Sequence, residues 1–265
     1  MRAHLVQLNI VWEDKTRNRA RVRELLEKNP VKPGDLVVLP EMFDTGFSFN
    51  LETTADTDGA TLAFLGALAR EKRITLQGAR TVLGPDGRGR NRASIFGPDG
   101  KVLAEYDKIH PFSFPGGGGR ESERFSGGDA VVTYTWMAEP GVSVSVCPAI
   151  CYDLRFPELF RAGLLRGAEV FAVGANWPAP RAAHRQALLI ARAIENQAYV
   201  LGVNRAGRDP HLEYCGGSLA VDPKGQIIGE LGDVEGVLSV EIDPAAVRDW
   251  RKTFPAWRDH RLLSR

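Results

Sequence analysis

Residues 142–166 read VSVSVCPAICYDLRFPELFRAGLLR, and this stretch decides the fold class. The segment Val142–Val146 predicts a strand, and Pro157–Arg166 predicts a helix. A further apolar run, Glu169–Val173, predicts a second strand directly after that helix. A strand, a helix and a strand in this order form the unit from which parallel α/β sheets are built. Cys151 lies at the junction between the first strand and the helix.

The same alternation of elements covers the rest of the chain. In the first half the predicted strands are His4–Ile10, Asp35–Pro40 and Ile74–Val82, the predicted helices are Lys15–Lys28 and Thr61–Arg73, and a hairpin joins Ala93–Phe96 to Lys101–Tyr106. The second half continues with helix Arg181–Gln197, strand Tyr199–Val203, a hairpin joining Leu219–Val221 to Gln226–Leu231, and helix Pro244–Arg251. The two hairpin prolines, Pro98 and Pro223, are 223 − 98 = 125 residues apart. We expect one α/β domain over residues 1–265, and the repeat is either an internal two-fold or the ordinary alternation of such proteins.

Composition narrows the class of protein. Of the 265 residues, 34 are Lys or Arg and 33 are Asp or Glu, so the net charge is +1, and 43% are hydrophobic. These values argue against a long disordered chain and against a nucleic-acid partner. No apolar run approaches the roughly 18 residues of a membrane span, and we expect no signal peptide in the first residues. Three cysteines, Cys147, Cys151 and Cys215, favour a reducing, cytoplasmic location over a disulfide framework. The segment Pro115–Gly119 predicts a mobile loop.

Polar residues that follow apolar strands are the first candidates for a site, because ligands of α/β sheets bind where strands end. Glu41, Lys108 and Cys151 each follow a predicted strand, and Asn176 and Trp177 follow a further apolar run. An acid, an amine and a thiol can together perform nucleophilic catalysis. The acid accepts the thiol proton, the thiolate attacks, and the ammonium stabilises the oxyanion.

The residues alone leave other interpretations open. A cysteine is more often a small core residue than a nucleophile. A dyad of Cys151 with His110 or His184 would give a Cys/His hydrolase. The nucleophile elbow of α/β-hydrolases is disfavoured, because it requires a small residue two positions after the nucleophile, where this chain has Asp153.

Several ordered segments together resemble the carbon–nitrogen hydrolase (nitrilase) superfamily along nearly the whole chain. They are Leu39–Ser48 (LPEMFDTGFS), Tyr106–Phe112 (YDKIHPF), Ala149–Glu158 (AICYDLRFPE), Asn176–Pro178 (NWP) and Ala191–Arg205 (ARAIENQAYVLGVNR). The resemblance implies an α/β fold of the four-layer α-β-β-α sandwich type. It also implies a small-molecule amide as substrate, a homodimer formed across a helical interface, and no metal or organic cofactor.

Roles for individual residues follow from this resemblance. It assigns Glu41 as general base, Lys108 as oxyanion stabiliser or acid, and Cys151 as nucleophile. The family has a further glutamate in the loop after the lysine, and counting along this chain gives Glu121. Glu123 is an alternative, because the glycine-rich approach to this loop departs from the family pattern.

Within the family, the compact chain looks most like the ω-amidases, which hydrolyse the terminal amide of α-ketoglutaramate or α-ketosuccinamate. We expect a thioester intermediate, with the Tyr152 backbone N–H assisting at the oxyanion. Arg155 is the candidate for binding a substrate carboxylate, and a salt bridge to Glu158 is the alternative. Asn176 and Trp177 are expected to form pocket walls. Deaminated-glutathione amidase, nitrilase and a catalytically silent binding subunit are the competing functions.

Overall fold

The structure, a computed structural model, describes residues 1–114 and 120–261. The segment Pro115–Gly119, for which the sequence predicts a mobile loop, lies outside the described residues. Within the two described ranges, no helix is both long and apolar enough to cross a membrane.

Two large sheets form the centre of the molecule. The strands are β1 Arg2–Gln7, β2 Leu36–Val38, β3 Thr75–Leu83, β4 Gly89–Phe96, β5 Val102–Asp107, β6 Tyr134–Glu139, β7 Val142–Ile150, β8 Val170–Ala175, β9 Tyr199–Asn204, β10 Ala206–Arg208, β11 Glu213–Cys215, β12 Leu219–Val221, β13 Ile227–Glu230 and β14 Gly236–Glu241. The first sheet has the order β14-β1-β2-β3-β4-β5, and the second has the order β13-β12-β9-β8-β7-β6. The short strands β10 and β11 form a separate ribbon.

The two sheets repeat one topology. Each contains three adjacent parallel strands, β1-β2-β3 in the first sheet and β7-β8-β9 in the second. A hairpin continues each sheet on one side, β4-β5 or β12-β13. An antiparallel strand ends each sheet on the other side, β14 or β6. The repeat in the sequence therefore corresponds to an internal two-fold in topology. The two terminating strands are elements that the sequence interpretation missed.

The sheets face each other across the main core. Leu5 and Val38 of the first sheet belong to the same buried cluster as Trp136 and Val146 of the second. The indole Nε1 of Trp136 also donates a 2.8 Å hydrogen bond to the carbonyl of Gly34, which directly precedes the first sheet's β2 region. Burying each such large apolar side chain contributes about 1.5–3 kcal/mol, so the interface between the sheets is a main source of stability.

Helices cover the outer face of each sheet. They are α1 Lys15–Lys28, α2 Leu51–Thr54, α3 Ala60–Lys72, α4 Glu121–Arg124, α5 Pro157–Leu165, α6 Ala182–Asn196 and α7 Pro244–Thr253. Val22 of α1 and Leu65 of α3 pack on the first sheet, whereas Phe160 of α5 and Leu189 of α6 pack on the second. In α6 the buried residues Leu189 and Ala193 recur at helical spacing, which creates a single apolar face. The predicted four-layer α-β-β-α sandwich is confirmed.

The topology brings four predicted residues to strand ends. Glu41 follows β2, Lys108 follows β5, Cys151 follows β7, and Asn176 follows β8. Two of these strands belong to the first sheet and two to the second. Because the sheets pack face to face, residues from both halves of the chain meet in one place.

Candidate active site

Glu41, Lys108 and Glu121 form a buried hydrogen-bonded group. The Lys108 Nζ donates to Glu41 Oε1 over 2.7 Å and to Glu121 Oε2 over 2.8 Å. All three residues are at most 1% exposed. A buried charge is costly unless it is paired, so the ammonium and the two carboxylates depend on one another.

Burial and neighbouring charges set the protonation of this group. Burial disfavours the Lys108 ammonium, but the carboxylates of Glu121 and Glu41 outweigh it and raise the pKa of the lysine above its ordinary value. Burial raises the pKa of Glu121, although Lys108 opposes this effect. Lys108 is therefore a fixed positive charge over the whole neutral pH range.

Cys151 occupies a strained turn. It follows β7 directly, has a φ of +47°, and begins the 3-10 turn Cys151–Arg155. Residues other than glycine rarely adopt a positive φ, and such strain is concentrated at functional sites. The Asp153 carboxylate accepts a 3.0 Å hydrogen bond from the Ile150 N–H and so holds the turn. A tight turn therefore forms here without the small residue that the sequence argument required at position 153.

The surroundings of Cys151 disfavour its thiolate. Burial raises its pKa well above the ordinary value, the negative charge of Glu41 raises it further, and Lys108 opposes the increase. The thiolate can therefore form at neutral pH only if a group in the site accepts the proton. Cys147 is a core residue, and burial raises its pKa to about 12.

Two asparagines fix the Glu41 carboxylate. The Asn91 Nδ2 donates to Glu41 Oε1 over 2.8 Å and to Glu121 Oε1 over 3.0 Å. The Asn176 N–H donates to Glu41 Oε2 over 2.9 Å, and its Nδ2 donates to the Glu41 backbone carbonyl over 2.7 Å. Both carboxylate oxygens of Glu41 are therefore held in place. Asn176 was predicted at this site from its position after a strand, whereas Asn91 was not.

Arg88 anchors the short helix α4, which carries Glu121. Its guanidinium donates to the backbone carbonyls of Ser122 and Phe125 over 2.7 and 3.0 Å. A third hydrogen bond, of 3.1 Å, reaches the carbonyl of Glu123. The side chain of Glu123 is exposed, whereas Glu121 is buried. Of the two glutamates that the sequence left open, the structure thus places Glu121 against the lysine.

A cavity of about 400 Å³ opens over Cys151. It is lined by Phe47, Phe112, Phe114, Cys151, Tyr152, Arg155, Asn176, Trp177, Pro178, Arg181 and Leu212. The four residues predicted to contact substrate, Tyr152, Arg155, Asn176 and Trp177, are all in this set. Aromatic walls with a few polar groups are typical of sites for small molecules.

Two arginines give the cavity positive charge. The Arg155 Cζ lies 4.9 Å from the centroid of the Trp177 ring, and the Arg181 Cζ lies 5.6 Å from that of Phe112. Within residues 1–114 and 120–261, neither guanidinium forms a salt bridge, so the alternative pairing of Arg155 with Glu158 is not present. Arg181 is a cavity residue that the sequence interpretation missed.

The two candidate histidines make other contacts. The His110 Nδ1 lies 2.8 Å from Asp153 Oδ1, and its ring stacks on Phe156 with centroids 3.7 Å apart. His184 contacts the Arg155 guanidinium at 3.4 Å. In the part of the chain that the structure describes, neither ring hydrogen-bonds to Cys151. The geometry therefore does not support a Cys/His dyad.

The contributors that the sequence interpretation missed carry weak signals. Asn91 is a polar residue within a strand, and Arg88 and Arg181 are two of the 34 lysines and arginines of the chain. Their roles depend on contacts with distant segments, which one sequence does not show.

Among the described residues, no group of three or more His, Cys, Asp or Glu side chains is arranged to hold a metal ion.

Comparisons with known proteins identify the family to which the chain belongs. The family model for carbon–nitrogen hydrolases matches residues 2–252. Omega-amidase YafV of Escherichia coli strain K12 is 35% identical over 257 residues, which cover 96% of this chain and 94% of that protein. The 2-oxoglutaramate amidase of Bacillus subtilis strain 168 is 32% identical over 260 residues, 97% of this chain and 96% of that protein. The crystal structure of XC1258 from Xanthomonas campestris, a CN-hydrolase superfamily protein, superposes with a TM-score of 0.89 and 33% identity, covering 100% of this chain and 98% of that one. This chain belongs to the carbon–nitrogen hydrolase family.

Proposed function

We propose that the protein is a cysteine-dependent ω-amidase. It releases ammonia from the terminal amide of a small carboxylate-bearing substrate, α-ketoglutaramate or α-ketosuccinamate. The observation that carries this proposal is the buried group of Glu41, Lys108 and Glu121 next to Cys151, which itself lines a cavity that also presents two arginines. Relatives named omega-amidase and 2-oxoglutaramate amidase, at 35% and 32% identity, support the same activity.

The first half of the reaction forms a thioester. Glu41 takes the proton from the Cys151 thiol, and the sulfur forms a bond to the amide carbon while the carbonyl electrons move to oxygen. Lys108 has three N–H donors, of which two bind the glutamates, so the third is available to the oxyanion. The Tyr152 backbone N–H is the second donor, and each such donor contributes about 3–4 kcal/mol. When the carbon–nitrogen bond breaks, Glu41 returns its proton to nitrogen and ammonia leaves.

The second half hydrolyses the thioester. Glu41, again a carboxylate, takes a proton from water as the water oxygen attacks the carbonyl carbon. The carbon–sulfur bond breaks, the acid product is released, and the Cys151 sulfur recovers its proton. The sum of both halves is amide plus water to carboxylic acid plus ammonia. Glu121 keeps the Lys108 ammonium in position through its 2.8 Å hydrogen bond.

Substrate choice follows from the cavity. Arg155 and Arg181 bind the carboxylate and the neighbouring oxo group, because guanidinium groups pair well with planar anions. The Trp177 and Phe47 rings enclose the short carbon chain. A cavity of about 400 Å³ suits a small molecule and leaves little room for a peptide.

A substrate comparison tests the proposal. Ammonia release is measured with α-ketoglutaramate, deaminated glutathione and a simple aliphatic nitrile, and we expect the highest kcat/KM with α-ketoglutaramate. Preference for deaminated glutathione or for the nitrile would replace the ω-amidase assignment with those activities. Absence of turnover with all three would favour a silent binding subunit. Mass spectrometry should show an acyl adduct on the wild-type protein and none on Cys151→Ala.

The assembly and location are part of the same proposal. The chain folds as one domain and pairs as a homodimer, and the exposed Leu165 of α5 and Ile194 of α6 lie on the helical layer that such an interface would cover. The three cysteines are unpaired, which suits the reducing cytoplasm. Light scattering after gel filtration should give the dimer mass, and Ile194→Glu should shift it toward the monomer. A monomer mass for the wild-type protein would refute the dimer.

A further inference from the structure

Asn91 contacts three of the four residues that the proposed reaction uses. Its Nδ2 donates to Glu41 over 2.8 Å and to Glu121 over 3.0 Å. Its backbone carbonyl accepts a 2.9 Å hydrogen bond from the Lys108 N–H. Asn91 is 2% exposed and does not line the cavity over Cys151. Any effect of this side chain on the reaction must therefore pass through the glutamates and the lysine.

The chemistry of an amide suits this place. An asparagine Nδ2 carries two N–H donors, and here each is directed at a different carboxylate. Among the described residues, the Oδ1 of Asn91 is buried with no hydrogen-bond partner, so the side chain is held by its donors. Two carboxylates share one ammonium, which leaves an excess of negative charge. The neutral donors of Asn91 reduce the repulsion without adding a cation that would compete with Lys108.

We propose that Asn91 is a positioning residue, which holds the Glu41 and Glu121 side chains correctly oriented on either side of the Lys108 ammonium. This inference rests on the proposed function, in which Glu41 is the base for Cys151. Asn91 acts only through those residues and makes no contact with substrate. Its removal should lower the rate of the chemical step and leave substrate binding almost unchanged.

The titratable groups that face Asn91 determine how the reaction rate of each variant depends on pH. Glu41 approaches from the end of β2, Glu121 from α4, and Lys108 from the end of β5. Tyr214 of β11 lies further out and also senses the Glu41 charge. A carboxylate in place of the amide would add a negative charge to this set. The cluster would then take up a proton at higher pH than it does in the wild-type protein.

The experiment compares Asn91→Asp and Asn91→Ala with the wild-type protein over a range of pH, with α-ketoglutaramate as substrate. For Asn91→Asp we expect kcat to fall about 100-fold, KM to change less than about three-fold, and the acidic limb of kcat/KM to move up by about one pH unit. For Asn91→Ala we expect a fall in kcat of about ten-fold with a smaller shift of the limb. Unchanged kcat and an unchanged acidic limb in both variants would overturn the inference.

A matched control separates positioning from stability. Asn196 is also fully buried, and among the described residues its Oδ1 has no hydrogen-bond partner. Its Nδ2 donates to the Arg192 carbonyl over 3.0 Å and to Glu195 Oε1 over 3.5 Å, and not to Glu41 or Glu121. Asn196→Asp should lower the melting temperature and leave the acidic limb where it is. An equal shift of the limb in Asn196→Asp would show that burial of a new acid, and not contact with the glutamates, causes it.

A readout without turnover separates this inference from the proposed function. The rate of Cys151 alkylation by iodoacetamide is followed by mass spectrometry over the same pH range. Asn91→Asp should change the pH dependence of this rate even if the wild-type protein hydrolyses none of the amides tested. Absence of turnover would then refute the proposed function alone, whereas an alkylation profile identical to wild type would refute the role of Asn91.

Discussion

The phenol of Tyr106 donates a 2.7 Å hydrogen bond to Asp153 Oδ2 across the space between the two sheets. Tyr106 lies in β5, two residues before Lys108, and Asp153 lies two residues after Cys151. Burial and the nearby Asp153 charge raise the pKa of Tyr106 well above its ordinary value, so the phenol remains a donor. One buried hydrogen bond therefore fixes the lysine of one sheet relative to the cysteine of the other.

Replacing Tyr106 with Phe should lower both the free energy of unfolding and kcat. The loss of kcat should be a separate effect and not a result of unfolding. Loss of the hydrogen bond leaves an Asp153 acceptor partly unsatisfied, which costs about 1–3 kcal/mol of unfolding free energy. We expect kcat to fall about ten-fold, because the turn at Cys151 is no longer fixed relative to Lys108. Denaturant unfolding and steady-state kinetics measure the two effects.

Tyr134→Phe is the control for that substitution. The Tyr134 phenol also joins the two sheets, through a 3.2 Å hydrogen bond to Gln77 Oε1, but among the described residues it forms no hydrogen bond to the turn at Cys151. It should lower stability and leave kcat within about two-fold of wild type. Equal losses of kcat in both variants would contradict a specific role for Tyr106.

Replacing Lys108 with Met should be severe for both stability and activity. Two buried carboxylates would lose their shared counter-ion, a change that typically costs about 3–5 kcal/mol. Activity should fall at least about 1,000-fold, because the oxyanion also loses a donor. Adding Glu121→Gln should restore part of the unfolding free energy without restoring ammonia release. Full recovery of activity in the double variant would remove Lys108 from the mechanism.

The pKa of the Cys151 thiol should lie above its ordinary value, and removal of the Glu41 charge should lower it. Burial and the Glu41 carboxylate both disfavour the thiolate, so the wild-type protein should show no Cys151 thiolate absorbance at 240 nm near pH 7. Glu41→Gln should bring the thiolate to lower pH and at the same time abolish turnover. The measurement is made on a protein that also carries Cys147→Ala and Cys215→Ser, so that the thiolate absorbance comes from Cys151. A wild-type thiolate at neutral pH would contradict this prediction.

Removing the Arg88 guanidinium should lower activity indirectly, because Arg88 holds the helix that carries Glu121. Arg88→Ala removes the hydrogen bonds that hold α4, so we expect kcat to fall about ten- to 100-fold with a small change in KM. Arg90→Ala is the matched control, because Arg90 pairs with Asp86 and, among the described residues, forms no hydrogen bond or ion pair with α4. A larger loss in Arg90→Ala than in Arg88→Ala would argue against this anchor.

The cavity arginines should discriminate between charged and neutral amides. Arg155→Ala and Arg181→Ala should each raise KM for α-ketoglutaramate about ten- to 100-fold, the effect of losing a charge-assisted hydrogen bond. Turnover of a neutral amide such as propionamide should change little. Arg161→Ala, on α5 and outside the cavity lining, should affect neither substrate. A similar loss of turnover with propionamide would show that the two arginines maintain the structure and do not bind the substrate carboxylate.

Much of the site could be predicted because its residues follow apolar strands. Glu41, Lys108, Cys151 and Asn176 each end a strand that the periodicity identifies, and sheet topology requires such residues to gather. Asn91 lies inside β4, opposite Thr81, and its contacts reach across to segments far along the chain. Such long-range hydrogen bonds leave no local pattern in the sequence.

Strand boundaries were harder to predict than strand existence. The apolar run His4–Ile10 predicted one strand, but the strand ends at Gln7, Asn9 forms only an isolated bridge to Ala206, and Leu8 and Ile10 are buried without continuing the sheet. Burial and strand pairing produce the same apolar signal, so the sequence does not separate them. The sequence interpretation missed strand Gly236–Glu241, in which Val240 is buried and Val237 and Leu238 are partly covered.

Strand β14 has a consequence for how the protein folds during synthesis. Its residues are made late, yet they pair with β1, and the Met1 ammonium and the Ile242 carbonyl are also joined by a 3.0 Å hydrogen bond. Until the ribosome has released this strand, the edge of β1 remains open to pairing with other chains. Contacts between such distant segments also slow folding. We expect the nascent first half to need protection by chaperones until β14 has paired with β1.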